Sequence, residues 1–120
     1  MTTAADHLTR PWESRYEIRD TTVLAEAKEL RVLDMTLMPR QSVPWHRHPM
    51  NDDLFIGLRG EFRILHGEAG EEITVHAGER FNVPRGVAHS VVNGSTCDCQ
   101  FLVIQGVGEY DYLPVDRGGK

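Results

Sequence analysis

The sequence has no long hydrophobic stretch, and its longest unbroken apolar run is the four residues from Phe101 to Ile104. A membrane-spanning helix needs about 20 apolar residues, so the sequence predicts no transmembrane segment. The residues from Met1 to Arg10 are polar and lack the apolar centre of a signal peptide. The expected location is therefore the cytoplasm.

Cysteine is scarce, and basic residues are outnumbered. The only two cysteines are Cys97 and Cys99, and in a reducing cytoplasm we expect both to remain free thiols. The 13 lysines and arginines stand against 18 acidic residues, which gives a net charge of −5. Because nucleic acids and anionic lipid surfaces are bound by basic faces, we expect neither a nucleic acid nor a membrane as a partner.

Turn-forming residues are abundant instead, with 11 glycines and 6 prolines among 120 residues. They separate short apolar segments that have no helical period, which is typical of an all-β sandwich or barrel. The predicted strands cover residues 31–38, 53–58, 62–65, 73–75, 80–83, 89–92 and 100–105. One domain is expected, with an N-terminal tail (1–14), a β-barrel (15–113) and a C-terminal tail (114–120).

One segment has no unique interpretation from its sequence. Residues 23–30 contain a run of helix-forming side chains from Ala25 to Glu29. Both a short helical turn and the loop of an N-terminal hairpin are compatible with this run.

Six histidines are many for a chain of this length, and two of them have the spacing of metal ligands. In an extended segment, His46 and His48 lie on one face and Arg47 on the other. Such a pair alone is more often ordinary surface or core histidine. An aspartate at the start of an apolar strand strengthens the case, because an inward carboxylate needs a partner. By register, Asp53 is the inward residue and Asp52 the outward one.

The remaining histidines divide into one candidate and three others. His89 follows a turn at Pro84-Arg85-Gly86 and is a further candidate ligand. His7, His66 and His76 are expected to be ordinary surface histidines.

These residues carry a resemblance to the cupin family. The sequence contains both characteristic motifs, in the right order, as His46-x-His48-x4-Asp53-x6-Gly60 and Gly78-x5-Pro84-x-Gly86-x2-His89-x3-Asn93. Two positions depart from the family pattern. Arg40 replaces a glycine, which changes a turn, and Asp53 replaces a glutamate that is one methylene longer.

The resemblance implies a double-stranded β-helix, also called a jelly-roll barrel, that holds one divalent metal ion. Its ligands would be His46, His48, Asp53 and His89, with Asp53 binding directly, through water or not at all. Nitrogen and oxygen ligands suit Fe, Mn, Ni, Zn, Co or Cu, so the identity of the metal stays open. An ion with open coordination positions could bind a substrate.

The function implied is a metal-dependent enzyme, dioxygenase-like or isomerase-like, that acts on a small organic substrate. The alternatives are a non-catalytic module that binds metal or a small ligand, as a sensor or accessory protein, and a metal that only stabilises the barrel. Strand alternation gives Phe55, Phe101, Val103 and Gln105 as candidates for the pocket lining, and no catalytic acid or base is identified. The resemblance also implies a homodimer.

Overall fold

The computed structural model describes residues 20–27, 30–106 and 113–115. The predicted N-terminal tail (1–14), with His7, lies outside these ranges, as do residues 116–120 of the predicted C-terminal tail. The described residues form ten strands and contain no helix of the length and apolarity needed to cross a membrane. The strands are β1 (Asp20–Ala27), β2 (Leu30–Leu37), β3 (Ser42–Arg47), β4 (Asp52–Arg59), β5 (Glu61–His66), β6 (Glu71–His76), β7 (Arg80–Val83), β8 (His89–Val92), β9 (Cys99–Gly106) and β10 (Leu113–Pro114).

The strands form two five-stranded sheets in which the neighbouring strands are antiparallel. The first sheet has the order β1-β2-β9-β4-β7, and the second has the order β10-β3-β8-β5-β6. Apolar side chains from both sheets form one buried core. The predicted all-β jelly-roll fold is therefore confirmed. The sheets are joined by crossovers such as the one between β6 and β7.

The sequence pattern explains which side of each strand is buried. In β2, Leu33, Met35 and Leu37 are buried, as period-2 alternation predicts. The predicted strands 62–65 and 73–75 lie within β5 and β6, which pair as a hairpin with Phe62 opposite Val75. Alternation thus places the apolar side chains on the interior faces.

Of the two alternatives for residues 23–30, the helical turn does not form in the residues that the structure describes. β1 continues to Ala27 and β2 begins at Leu30, so the hairpin alternative is the one that forms. Seven residue pairs join β1 to β2, from Asp20–Thr36 to Ala27–Leu30. Helix propensity is a weak preference, and pairing with a strand of a packed sheet overrides it.

The motif residues fix turns at the strand ends. Gly60, Gly78 and Gly86 all have positive φ angles, of 70°, 87° and 82°, a conformation that favours glycine. Arg40, which replaces the family glycine, adopts a positive φ of 73° in the same way. The backbone N–H of Arg40 donates to the carbonyl of Asn93 (2.9 Å), so this turn is held despite its side chain.

Candidate metal centre

His46 and His48 lie at the end of β3 and face the interior of the barrel. They are 4% and 2% exposed, whereas Arg47 between them is exposed. Their ring centroids are 4.8 Å apart. The pairing of β3 with β8 shifts register between Val43 and His46, and such a bulge re-aims the side chains that follow it.

Asp53 and His89 join this pair from two other strands. Both are buried, and His89 lies directly opposite His46 in the β3–β8 pairing. One potential ligand atom from each of the four side chains lies within 4.8 Å of the others, so the group could hold a metal ion. Asp52 faces the other way, and its carboxylate accepts a hydrogen bond from the backbone N–H of Arg85 (2.8 Å).

Backbone carbonyls orient two of the imidazoles. His46 Nδ1 lies 2.7 Å from the carbonyl oxygen of Pro44, and His89 Nδ1 lies 2.9 Å from that of Val87. A carbonyl can only accept, so in both rings Nδ1 carries the hydrogen. Metal-binding histidines in proteins are held in this way, with the other ring nitrogen left for the ion. For His46 and His89 that nitrogen is Nε2.

The contacts of Asp53 test whether these residues fit a cation. Asp53 Oδ2 lies 3.0 Å from His89 Nε2 and 3.2 Å from His48 Nε2. Because the hydrogen of His89 is on Nδ1, the Nε2 of the neutral ring has only a lone pair, which repels a carboxylate oxygen at this distance. A cation between them, either a proton or a metal ion, removes this repulsion. Nitrogen and oxygen ligands of this kind fit a divalent transition metal.

Burial and mutual contact set the charges of the group. Burial, with the nearby His89 and His48, lowers the pKa of His46 well below its ordinary value. Burial alone would raise the pKa of Asp53, but hydrogen bonds from His48 and His89 outweigh it and hold that pKa below its usual range; His89 can donate such a bond only when both of its ring nitrogens carry a proton. Metal ions bind neutral imidazoles and ionised carboxylates, so both shifts favour the metal-binding forms.

Asn51 is a member of the site that the sequence analysis did not identify. It is 2% exposed, and its Nδ2 donates to Asp53 Oδ1 and to the carbonyl of Asp52, both at 3.2 Å. The only signal in the sequence is its position, two residues before Asp53 on the same side of an extended chain. Asn51 holds the carboxylate oxygen that the histidines do not contact.

The predicted pocket residues lie on the interior face of the first sheet. The ring of Phe55 lies against His89, with centroids 6.0 Å apart. Gln105 is 6% exposed and stands directly opposite Asp53 in the β4–β9 pairing. Phe101 and Val103 are buried farther along β9, in the core. Phe55 and Gln105 are thus the two that adjoin the four ligands.

The histidines expected at the surface differ from one another. His76 has an exposed side chain that lies 3.0 Å from Glu79, as expected. His66 is half-buried, its ring is packed on Phe81, and it stands opposite His89 in the β5–β8 pairing. The expectation of an ordinary surface position is therefore wrong for His66, because β5 turns its side chain inward.

Comparison with known proteins supports the fold and its family. The model of the cupin domain family matches residues 33–105 of this sequence. No curated protein matches the chain.

Several solved structures share the fold at low sequence identity. A conserved protein with a double-stranded β-helix domain from Klebsiella pneumoniae has a TM-score of 0.74 at 20% identity, covering 93% of this chain and 94% of that one. The polyketide cyclase RemF from Streptomyces resistomycificus has a TM-score of 0.70 at 22% identity, covering 92% and 87%. An oxalate oxidase in complex with glycolate has a TM-score of 0.66 at 20% identity, covering 72% of this chain and 46% of its own.

Proposed function

We propose that this chain, which belongs to the cupin domain family, is a metal-dependent enzyme that acts on a small organic substrate. The observation that carries the proposal is the buried group formed by His46, His48, Asp53 and His89, whose ligand atoms lie within 4.8 Å of one another. Four buried ionisable side chains in one place are costly unless a partner compensates them. A metal ion of the Fe, Mn, Ni, Zn, Co or Cu type is that partner.

The reaction type is proposed as dioxygenase-like or isomerase-like. When bound, a divalent ion would supply Lewis-acid chemistry or, if redox-active, electron exchange with dioxygen. The chain itself contributes orientation and exclusion of water, through the carbonyls that fix His46 and His89 and through the ring of Phe55 against His89. Two structural neighbours with this fold are named as enzymes, an oxalate oxidase and a polyketide cyclase, which supports an enzymatic role without assigning the reaction.

The second candidate is a non-catalytic module that binds metal or a small ligand. It is favoured by the composition of the interior in the described part of the chain. Outside the four ligands, the fully buried polar side chains of the described residues are non-titrating: Thr36, Asn51, Ser90, Asn93 and Gln105. The inward-facing His66 is half-buried and packs on Phe81. An accessory or sensory role needs binding alone, which these side chains can support.

Removal of one ligand tests the metal site. Purified wild-type protein is expected to contain about one divalent ion per chain, measured by elemental analysis. His89→Ala removes a buried nitrogen ligand, and loss of a ligand or its supporting contacts typically weakens metal binding by about tenfold to a hundredfold or more. His76→Ala is the control, because His76 is exposed and lies outside the group. Equal metal content in the two variants would contradict the proposed site.

The same variants separate the catalytic, binding and structural interpretations. If His89→Ala loses the metal and keeps the melting temperature of the wild type, the metal does not simply stabilise the barrel. Iron-loaded wild-type protein is then tested for oxygen consumption and for substrate conversion with a panel of small organic acids, phenols and ketones. Turnover of any member supports the enzyme, and ligand binding without turnover supports the module.

The two sheets differ in their outer faces, and this supports a homodimer. On the first sheet the outer face of the central strands is apolar and half-buried, with Leu54 beside Ile104 and Ile56 beside Leu102. On the second sheet the outer face is polar, as at the Arg63–Thr74 pair. A contiguous apolar surface marks an interaction site, so we propose that a second copy covers the first sheet.

The free thiols Cys97 and Cys99 support the expected cytoplasmic location.

A further inference from the structure

A row of polar side chains crosses the interior of the first sheet beside the metal centre. Strand pairing places Glu26 opposite Arg31, Arg31 opposite Gln105, and Gln105 opposite Asp53. The next row on the same face is apolar, and it consists of Val23, Leu33, Val103, Phe55 and Phe81. Side chains directly opposite on one face have Cβ atoms about 5 Å apart. Gln105 is thus a direct neighbour of a candidate metal ligand.

Gln105 carries a buried acceptor that the described residues leave unpaired. The side chain is 6% exposed, and its Oε1 has no hydrogen-bond partner among these residues. A buried acceptor without a partner is destabilising, so it is usually paired with ligand or water if not with protein. Its neighbours in the row do not satisfy it: Arg31 donates through Nε to Glu26 (2.8 Å), and its buried Nη1, although on the adjacent strand, makes no hydrogen bond to this oxygen. Asp53 is contacted by the histidines and Asn51.

The charges of the row indicate what kind of group would meet this oxygen. The positive charge of Arg31 is compensated by Glu26, and the carboxylate of Asp53 faces the histidines. Gln105 itself is neutral, so it can select a ligand by hydrogen bonding but not by charge. An amide oxygen accepts from a hydroxyl or N–H group and has no favourable contact with an ether or a methyl group.

We propose that Gln105 is a specificity-determining residue that accepts a hydrogen bond from a hydroxyl group of the organic ligand. This inference rests on the proposed function, since it assigns a ligand class to the same metal centre. The class is small hydroxyl-bearing molecules, and their O-methyl ethers are discriminated against. The discrimination follows the rule that a site built to pair a hydroxyl rejects the analogue that leaves its buried group unpaired.

The test compares matched pairs of probes on the cobalt-loaded protein. The pairs are glycolate with methoxyacetate and catechol with guaiacol, in which a methyl group replaces one hydroxyl hydrogen. By isothermal titration calorimetry, we expect wild-type protein to bind the hydroxyl member of at least one pair about tenfold more tightly than its ether. In Gln105→Met, which keeps the side-chain length and loses the amide, that ratio falls to about one.

Three measurements show that the effect comes from Gln105 and not from the metal or the fold. Cobalt content of Gln105→Met is expected to equal that of the wild type. The control Gln100→Met changes the same residue type on the outer face of β9, where Gln100 donates to Asp34 (2.9 Å), and is expected to keep the wild-type preference. Gln105→Leu serves as a second variant, and its melting temperature, like that of Gln105→Met, is measured first.

The outcomes distinguish this inference from the proposed function. If wild-type protein takes up no cobalt, both fall together. If it takes up cobalt and prefers no hydroxyl probe, or if Gln105→Met keeps the preference, only the role of Gln105 is overturned. Loss of cobalt from a folded Gln105→Met or Gln105→Leu protein also overturns it, because Gln105 would then act on the metal and not on the ligand.

Discussion

Asp53 stays ionised inside the barrel although burial alone would favour its neutral form. His48 and His89 contact one carboxylate oxygen, and Asn51 donates to the other. Both oxygens are therefore held by polar partners on separate segments of the chain. This explains how the shorter aspartate fits where the related motif has a glutamate, since the surrounding side chains fix its position from both sides.

The two thiols are expected to react very differently although they are two residues apart. Cys99 is fully buried and Cys97 is exposed. Burial raises the pKa of the Cys99 thiol to about 11, so at pH 8 it is neither accessible nor ionised. We expect iodoacetamide to label native protein once per chain, at Cys97, by mass spectrometry. Native Cys97→Ser is expected to remain unlabelled, and labelling of Cys99 in the native state would contradict its burial.

The same shift predicts a loss of stability at alkaline pH. The pKa of Cys99 in the folded state is raised above its ordinary value of 9.0. The stability that the neutral, buried thiol contributes is therefore complete below about pH 9. It is lost as the pH rises towards about 11, because the thiol ionises at lower pH in the unfolded chain than in the folded one. We measure the free energy of unfolding by urea denaturation between these two pH values. As the pH rises, this free energy is expected to fall less for Cys99→Ala than for the wild type. Equal falls in the two proteins would contradict the prediction.

At the scale of strands, the local sequence was sufficient to predict the bounds of a strand that has turn residues at both of its ends. β7 and β8 have the predicted bounds. Gly78, Pro84 and Asn93 lie just outside these strands and end the strand pairing there. β9 is longer than predicted at both ends. Its last residue, Gly106, has no strand propensity of its own, but pairing with Leu30 and Asp52 on its two sides keeps it extended.

The four candidate metal ligands could be identified from the resemblance to the family motifs, whereas their supporting contacts could not. His46, His48, Asp53 and His89 occupy fixed positions in two local motifs. The neighbour relation between Gln105 and Asp53 depends on the register of strands far apart in sequence, which no local pattern records. The orientation of the imidazoles depends on backbone carbonyls. Every residue type has this group, so the sequence does not show which carbonyls contact the histidines.

The contact between β4 and the β6–β7 connection predicts that Gly57 cannot be replaced. A Cβ atom at Gly57 would overlap the backbone carbonyl of His76, and Gly57 also exchanges backbone hydrogen bonds with Glu79 (2.8 Å) and Gly78 (2.9 Å). Because two hydrogen-bonded backbones cannot separate cheaply, Gly57→Ala is expected to lower the free energy of unfolding by about 3 kcal/mol. Urea denaturation measures this loss.

Gly94→Ala is the matched control for that substitution. A Cβ atom there would meet only the guanidinium of Arg63, the end of a flexible side chain that can rotate away. The expected loss is under about 1 kcal/mol, as for ordinary surface changes. Similar losses in the two variants would show that the backbone contact at His76 does not constrain Gly57.

At the scale of the whole molecule, the barrel has distinct ends and distinct sides. The metal centre and the polar row of Gln105 occupy one end, and the rings of Phe62 and Phe101, with centroids 4.4 Å apart, fill the core away from it. The aromatic side chains therefore pack on the side of the four candidate ligands away from Gln105. The apolar side chains of the outer face of this sheet, such as Leu54 and Ile104, point away from Asp53 and Gln105, so a partner on that face would not contact the candidate metal centre directly.

The proposed homodimer is tested by placing a charge on each outer face in turn. Wild-type protein is expected to have a mass about twice the 13.6 kDa of one chain by light scattering after gel filtration. Ile104→Asp puts a carboxylate between Val32 and Leu54, where pairing of two copies would bury it unpaired, so this variant is expected to be monomeric. Thr74→Asp makes the same change on the exposed polar face of β6 and is expected to remain dimeric. A monomeric wild type, or a dimeric Ile104→Asp variant, would overturn the assignment of the first sheet as the interface. A stable interface buries about 800 Å² on each partner and cannot absorb an unpaired charge at its centre.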